Sequence, residues 1–239
     1  MPEEVGSLIN YLSSIKIKKF GDLELYSGEL LINKRKKVYI SIAWSGWGKV
    51  SAARATTRLL GMTYLGHKID MIFFTGVAGA VDKKLRQWDI VISEALIQHD
   101  MDASPLFEKY VVPAINQKRI FANKNILEKV FYSLEKKLNQ EKSFGILYKG
   151  LIATGDMFIS NRIKIQNLSK EIDGLLAVEM EGAAFAQVAK QENVDWIVLR
   201  VISDGADEYA HDEFNQFLEK YKLKSTELIK CFLSSLLED

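Results

Sequence analysis

Short apolar runs at residues 38–43, 71–75, 89–94, 150–154, 175–178 and 196–202 alternate with stretches of helical periodicity at 49–60, 125–139, 182–191 and 214–237. Apolar runs this brief, bounded by glycine or polar residues, read as strands, and apolar positions recurring every third or fourth residue read as helices. A chain that keeps switching between the two periods is expected to be α/β: a mixed, twisted sheet with helices on both faces. A further helical pattern covers residues 5–12. Residues 21–39 read as a hairpin, since Leu23-Glu24-Leu25-Tyr26-Ser27-Gly28 alternates and residues 33–37 form a polar turn. With 239 residues, prolines only at Pro2, Pro105 and Pro113, and no Gly/Ser-rich tract, one domain spanning 1–239 is expected. Residues 98–117 are the longest stretch without periodicity, a candidate pocket lid or subunit contact.

Charge removes several partners from consideration. A net charge of +1 gives no electrostatic case for nucleic acid or a membrane surface. Basic clusters at 16–19 and 34–37 sit among acids and apolar residues and read as solvated faces. The single cysteine, Cys231, excludes an internal disulfide and a cysteine-rich metal site, and its apolar neighbourhood makes it a core residue. His67, His99 and His211 lack metal-ligand spacing, so neither a metal nor a cofactor is expected. The amino terminus lacks the basic-then-apolar layout of a signal peptide, and no run approaches 18 apolar residues. The expected location is the cytoplasm.

Two segments run apolar residues straight into carboxylates: Ala177-Val178-Glu179-Met180-Glu181-Gly182 and Leu199-Arg200-Val201-Ile202-Ser203-Asp204. Ligands of open α/β sheets bind at the carboxyl ends of strands, so acidic tips arriving there together predict an acid-lined small-molecule pocket. The competing reading is that these are helix N-cap and first-turn acids. Thr75-Gly76-Val77-Ala78-Gly79-Ala80 follows a strand and, taken alone, reads as a tight strand-exit turn; it is not a dinucleotide fingerprint. Ser45-Gly46-Trp47-Gly48-Lys49 is a glycine turn into a helix. In Gly155-Asp156-Met157-Phe158-Ile159-Ser160, Phe158 is placed either to stack on a planar base or to cap the core.

These pieces stand in a familiar order. Through them, and through Trp88-Asp89-Ile90-Val91 and His99-Asp100-Met101-Asp102, the chain resembles the methylthioadenosine/S-adenosylhomocysteine nucleosidases of the purine nucleoside phosphorylase superfamily over nearly its whole length. The resemblance implies a nucleoside phosphorylase-like fold and hydrolysis of the N-glycosidic bond of 5′-substituted adenosines. Asp204 corresponds to the acid that serves adenine N7, with Ser203 orienting it. A carboxyl donating near neutral pH needs a raised pKa, which burial beside Ile202 would favour. Glu181 corresponds to the ribose-holding glutamate, with Glu179 beside it, Met180 packing on the sugar and Arg200 behind. Phe158 would stack on adenine and the backbone at Ile159 read its edge; Val77, Ala78 and Gly79 would border the ribose. Glu4 matches the glutamate that helps activate water, and Phe214 would close over the 5′ substituent. A homodimer is implied, with the 98–113 segment reaching the neighbouring subunit and Pro105-Leu106-Phe107 as its apolar contact.

Two departures stand out. Relatives begin with a short apolar strand before the Met-x-Glu-Glu-Val motif, which starts at residue 1 in this chain, so the fold is expected to lack that strand. Val77 replaces a hydroxyl residue, a loss of about 1 kcal/mol for one hydrogen bond. A purine nucleoside phosphorylase is the nearest alternative, but phosphate-using relatives carry an arginine where Phe74 stands. A nucleoside-binding protein without catalysis is the alternative from another class. The 5′ preference depends on how Phe214, Tyr209 and Leu106 pack.

Overall fold

The computed structural model describes residues 7–33, 36–64, 66–206 and 210–238. Three antiparallel strands come first: β1 (Leu12–Phe20), β2 (Leu23–Asn33) and β3 (Lys36–Ala43) form a sheet in that order. The expected hairpin is β2–β3, pairing from Leu25↔Ala43 to Asn33↔Lys36. The expected helix at 5–12 is not found among the described residues. Leu8–Tyr11 make one 3-10 turn, and the chain then extends into β1. The spacing of Leu8 and Leu12 suits a helix, but both instead pack with Leu30 and Ile229. Ile15 and Ile17 continue at a period of two, and Gly21, at φ +65°, turns the chain so that Phe20 pairs with Leu23.

Helix α1 (Lys49–Leu60) follows, then a short ribbon, β4 (Thr63–Tyr64) and β5 (His67–Lys68). The main sheet comprises β6 (Met71–Ala80), β7 (Ile90–Gln98), β8 (Ile120–Phe121), β9 (Leu147–Thr154), β10 (Leu175–Glu179) and β11 (Asp195–Asp204), in the order β11-β6-β10-β9-β7-β8. Because β11 also pairs with β7 through Leu199↔Ile92 and Val201↔Ile90, five of these strands close into a ring. Pairing is mixed: β6–β11, β9–β10 and β7–β9 are parallel, whereas β6–β10 and β7–β11 are antiparallel.

Helices α2 (Lys124–Glu141), α3 (Arg162–Glu171), α4 (Gly182–Gln191) and α5 (Ala210–Leu236) complete the described elements. Strand β11 shows why helices cover both faces. Trp196, Val198 and Ile202 pack with Phe185, Ala186 and Ala189 of α4, while Ile197, Leu199 and Val201 pack with Leu134 of α2 and Phe217 and Tyr221 of α5. Helix α2 is capped by the Asn123 side chain, which accepts from the Asn125 N–H, and stops at Lys142 in the left-handed region. The unpredicted α3 buries only Leu168, too narrow a stripe to read in the sequence, although Asn161 caps it through the Lys164 N–H. Residues 99–119 are irregular apart from the Val112↔Gln117 bridge, as their composition predicts. Among the described residues, no helix is long and apolar enough to cross a membrane.

Candidate active site

Three strand ends and two loops converge. β11 ends in Ser203 and Asp204, β10 ends in Glu179 and leads through Met180 and Glu181 into α4, and β6 runs past them as Val77, Ala78 and Gly79. The segment 75–80, read from sequence as a strand-exit turn, stays extended. Its pairing with β11 (Val77↔Val201, Ala78↔Ile202) and with β10 (Gly79↔Val178) outweighs its glycine content. Its glycine has a steric purpose. A Cβ on Gly79 would lie 2.8 Å from Ala206 Cβ and 3.0 Å from Asp204 Oδ1, so a larger residue would push the Asp204 carboxylate aside.

Around these ends opens a cleft of about 650 Å³, lined by Ser45, Gly46 and Trp47, by Val77–Gly79, by Met157, Phe158 and Ile159, by Val178–Glu181, and by Ser203, Asp204 and Phe214. Eleven sequence-predicted residues therefore share one cavity: Val77, Ala78, Gly79, Phe158, Ile159, Glu179, Met180, Glu181, Ser203, Asp204 and Phe214. Arg200 stands behind them, and Glu4 and Tyr209 lie outside the described residues. Trp47, Ser45 and Met157 were not predicted. Trp47 and Phe158 each meet Phe214 edge-on at 6.0 Å between centroids, so three aromatic rings form one wall.

The acids face that wall in two environments. Asp204 is only 6% exposed; the Ser203 hydroxyl donates to Oδ2 at 2.6 Å and the Ala206 N–H to Oδ1 at 2.8 Å. Glu181 accepts the Gly48 N–H on Oε1 at 2.9 Å and faces Arg200 at 3.3 Å from Oε2. Glu179 borders the same cleft, but its carboxylate is turned to the protein. It accepts from Arg200, from the Thr154 hydroxyl, and from the N–H groups of Glu181 (3.1 Å) and Gly182 (2.8 Å). Arg200, 1% exposed and stacked over Phe74 at 4.7 Å, is thus the buried counter-charge for two glutamates. The N-cap alternative holds in part: Glu181 occupies the N-cap of α4, yet it makes no side-chain cap bond and its oxygens turn toward Gly48 and Arg200.

Among the described residues, no lysine or arginine lines the cleft. Arg54 is occupied by Asp22 and the Phe20 carbonyl, and Arg58 stacks over Phe20. A second, larger slot of about 1860 Å³ lies between β3 and the first half of β6, but its walls are mostly aliphatic and aromatic and, among the described residues, bring no pair of carboxylates together.

Strand ends that bring acids against an aromatic wall make, in an α/β protein, the kind of concave and partly apolar cleft at which such sheets bind small molecules. The chain belongs to the phosphorylase superfamily, whose sequence model matches residues 1–234. It is 33% identical over 236 residues to the 5′-methylthioadenosine/S-adenosylhomocysteine nucleosidase of Glaesserella parasuis serovar 5, covering 98% of this chain and 96% of that protein. Among solved structures, the nucleosidase of the same description from Colwellia psychrerythraea 34H, in complex with adenine, superposes with a TM-score of 0.85 at 30% identity, covering 99% and 92% of the two chains. A futalosine hydrolase of Helicobacter pylori superposes with a TM-score of 0.81 at 30% identity, covering 98% and 94%.

Proposed function

We propose that this chain is an N-glycosyl hydrolase that cleaves 5′-substituted adenosines, methylthioadenosine and S-adenosylhomocysteine first among them, into adenine and the 5-substituted ribose. The observation that carries the reading is the convergence of Asp204, Glu181 and an aromatic wall on one cleft that no cation lines among the described residues. Full-length similarity to nucleosidases supports it.

Chemistry divides between the two acids. As the C1′–N9 bond breaks, its electron pair moves onto the base and positive charge grows on the ribose. The protonated Asp204 carboxyl gives its proton to N7, while the Ser203 hydroxyl, 2.6 Å from Oδ2, holds the carboxyl in line. Glu181 accepts from the ribose hydroxyls, and its negative charge steadies the oxocarbenium-like sugar. Gly48 and Arg200 keep that carboxylate from swinging. Phe158 stacks on adenine, Ile159 presents its backbone to the base edge, Met180 packs on the ribose, and Val77–Gly79 border it. Water then adds to C1′ and loses a proton, a step assigned to Glu4 by resemblance.

Water rather than phosphate is the nucleophile, because a phosphate dianion finds no cationic partner on the cleft wall among the described residues. Adenine release assayed with and without phosphate tests this: equal rates and free ribose product are expected, and strict phosphate dependence with a ribose-1-phosphate product overturns it. The same reading makes the protein a cytoplasmic homodimer of one domain. Leu106 is 86% exposed and Phe107 37% exposed on the 98–113 segment, apolar surface that a second copy would cover. Sedimentation showing only monomer at micromolar concentration contradicts the dimer.

A further inference from the structure

Helix α1 begins without a cap of its own. Its N-cap residue is Gly48, at φ +87°, and its first turn holds no acid. The missing acceptor comes from 107 positions further along the chain: Asp156 Oδ1 accepts the Lys49 N–H at 2.7 Å. The Asp156 N–H in turn donates to Asp100 Oδ2 at 2.9 Å, and Lys49 Nζ returns to Asp100 Oδ1 at 2.7 Å. Three residues on three separate segments thus close a ring of hydrogen bonds. Lys49 Nζ also donates to Gln98 Oε1 at 3.2 Å, and Gln98 Nε2 to Gln187 Oε1 of α4 at 2.8 Å, which ties the ring to the helix that starts at Glu181. The ring has little room to spare, since a Cβ on Gly48 would come within 2.9 Å of Asp156 Oδ1.

None of Lys49, Asp100 and Asp156 lines the cleft, yet the two lips of the cleft hang from them. One lip is Ser45–Trp47 with Gly48, whose N–H holds Glu181; the other is Met157–Ile159, which carries Phe158. Burial alone would push the Asp100 carboxyl up, but the Lys49 ammonium and the Asp156 N–H outweigh it and hold Asp100 below the usual carboxylate range, so that carboxylate stays charged at neutral pH. Lys49 and Asp100 side chains are 19% and 25% exposed, which limits the screening of their pair by solvent.

We propose that Lys49, Asp100 and Asp156 are positioning residues: their ring locks the Phe158 lip to the Gly48 lip and so fixes the distance between the base-stacking ring and the ribose-holding Glu181. The inference rests on the nucleosidase reading for its kinetic consequence, and on geometry alone for its mechanical one. Opening the ring loosens the Phe158 lip and its stacking on the base, while Arg200 still holds Glu181 and Asp204 stays fixed on β11. Stacking lost from ground state and transition state in equal measure raises KM and leaves kcat.

The test compares Asp156→Ala, Asp156→Asn and Lys49→Met with the unaltered protein in two assays. For Asp156→Ala and Lys49→Met, KM for methylthioadenosine is expected to rise about tenfold with kcat changed less than about threefold. Asp156→Asn keeps an oxygen for the Lys49 N–H and should recover most of the loss. In hydrogen–deuterium exchange, Lys49→Met should speed exchange in residues 156–160 as well as 45–50, while β11 stays protected. A kcat that falls with KM unchanged, an asparagine variant as impaired as the alanine one, or unaltered exchange in the 156–160 lip overturns the proposal. If the unaltered protein releases no adenine, the nucleosidase reading fails on its own, and the exchange result still decides whether the ring joins the lips.

Discussion

Replacing Gly79 by alanine is a sharp probe of the site, because it adds one methyl group at a known distance from the acid. Gly79 lies in ordinary extended backbone on β6, outside the positive-φ glycines, so alanine meets no conformational objection there. The obstacle is space: the new Cβ falls 2.8 Å from Ala206 Cβ and 3.0 Å from Asp204 Oδ1. Contacts that short demand a shift of several tenths of an ångström to an ångström. The immovable partner is β6, pinned by β11 on one side and β10 on the other, so residues 204–206 must give way. Overpacking of this kind costs about 1–3 kcal/mol, or roughly 2–12 °C in Tm for a chain of this size. The kinetic effect should be larger. Displacing Asp204 by ~1 Å from the line to N7 predicts a fall of about a hundredfold in kcat. Adenine release from methylthioadenosine, measured beside a thermal melt, separates the two effects. A Gly79→Ala protein that melts cooperatively and keeps kcat within a factor of about three would refute the claim that the carboxylate at 204 needs that spot.

Two further outcomes follow from buried charge. Arg200→Leu strands the carboxylates of Glu179 and Glu181 without their counter-ion, and breaking a buried pair in this way typically costs about 3–5 kcal/mol; urea unfolding should register it, and a loss below about 1 kcal/mol contradicts the pairing. His99 is buried, its Nε2 without a hydrogen-bond partner among the described residues and its ring close against Gly155, and burial pushes its pKa below the ordinary 6.5. The unfolded chain therefore binds a proton at higher pH than the folded one, so stability is full above about 6.5 and declines as pH falls from there toward the lower folded value. Thermal melts between pH 7.5 and 5 should show that decline in the unaltered protein and a flatter profile in His99→Phe; identical slopes would exclude His99 as its source.

Strands whose two faces are both buried were legible in the sequence, as the apolar run at 196–202 shows by lying wholly within β11. Where pairing rather than composition decides, local reading fails. The Leu8–Leu12 spacing looks helical, and only the cross-strand partners on β2 explain why residues 12–20 are extended. The glycines of 76–79 look like a turn, and only the neighbours β10 and β11 keep them in a strand. The site divides in the same way. The acidic ends of β10 and β11 announce themselves because charge ending an apolar strand is conspicuous. Trp47 and Gly48 do not, because what brings them to the cleft is Asp156, whose link to Lys49 spans 107 positions. Glu179 was legible as a cleft acid, but its engagement by Arg200, Thr154 and two backbone N–H groups depends on tertiary geometry.

Asp204→Asn tests the central claim most directly. The side chain keeps its shape and an oxygen for the Ala206 N–H, now 2.8 Å away, but has no proton to give N7. General acid catalysis contributes about 10²–10⁴-fold, so kcat for adenine release should fall by that factor while calorimetric affinity for the nucleoside stays within a few-fold of the unaltered protein. A variant that still turns over within about tenfold of the original rate would contradict Asp204 as the proton donor.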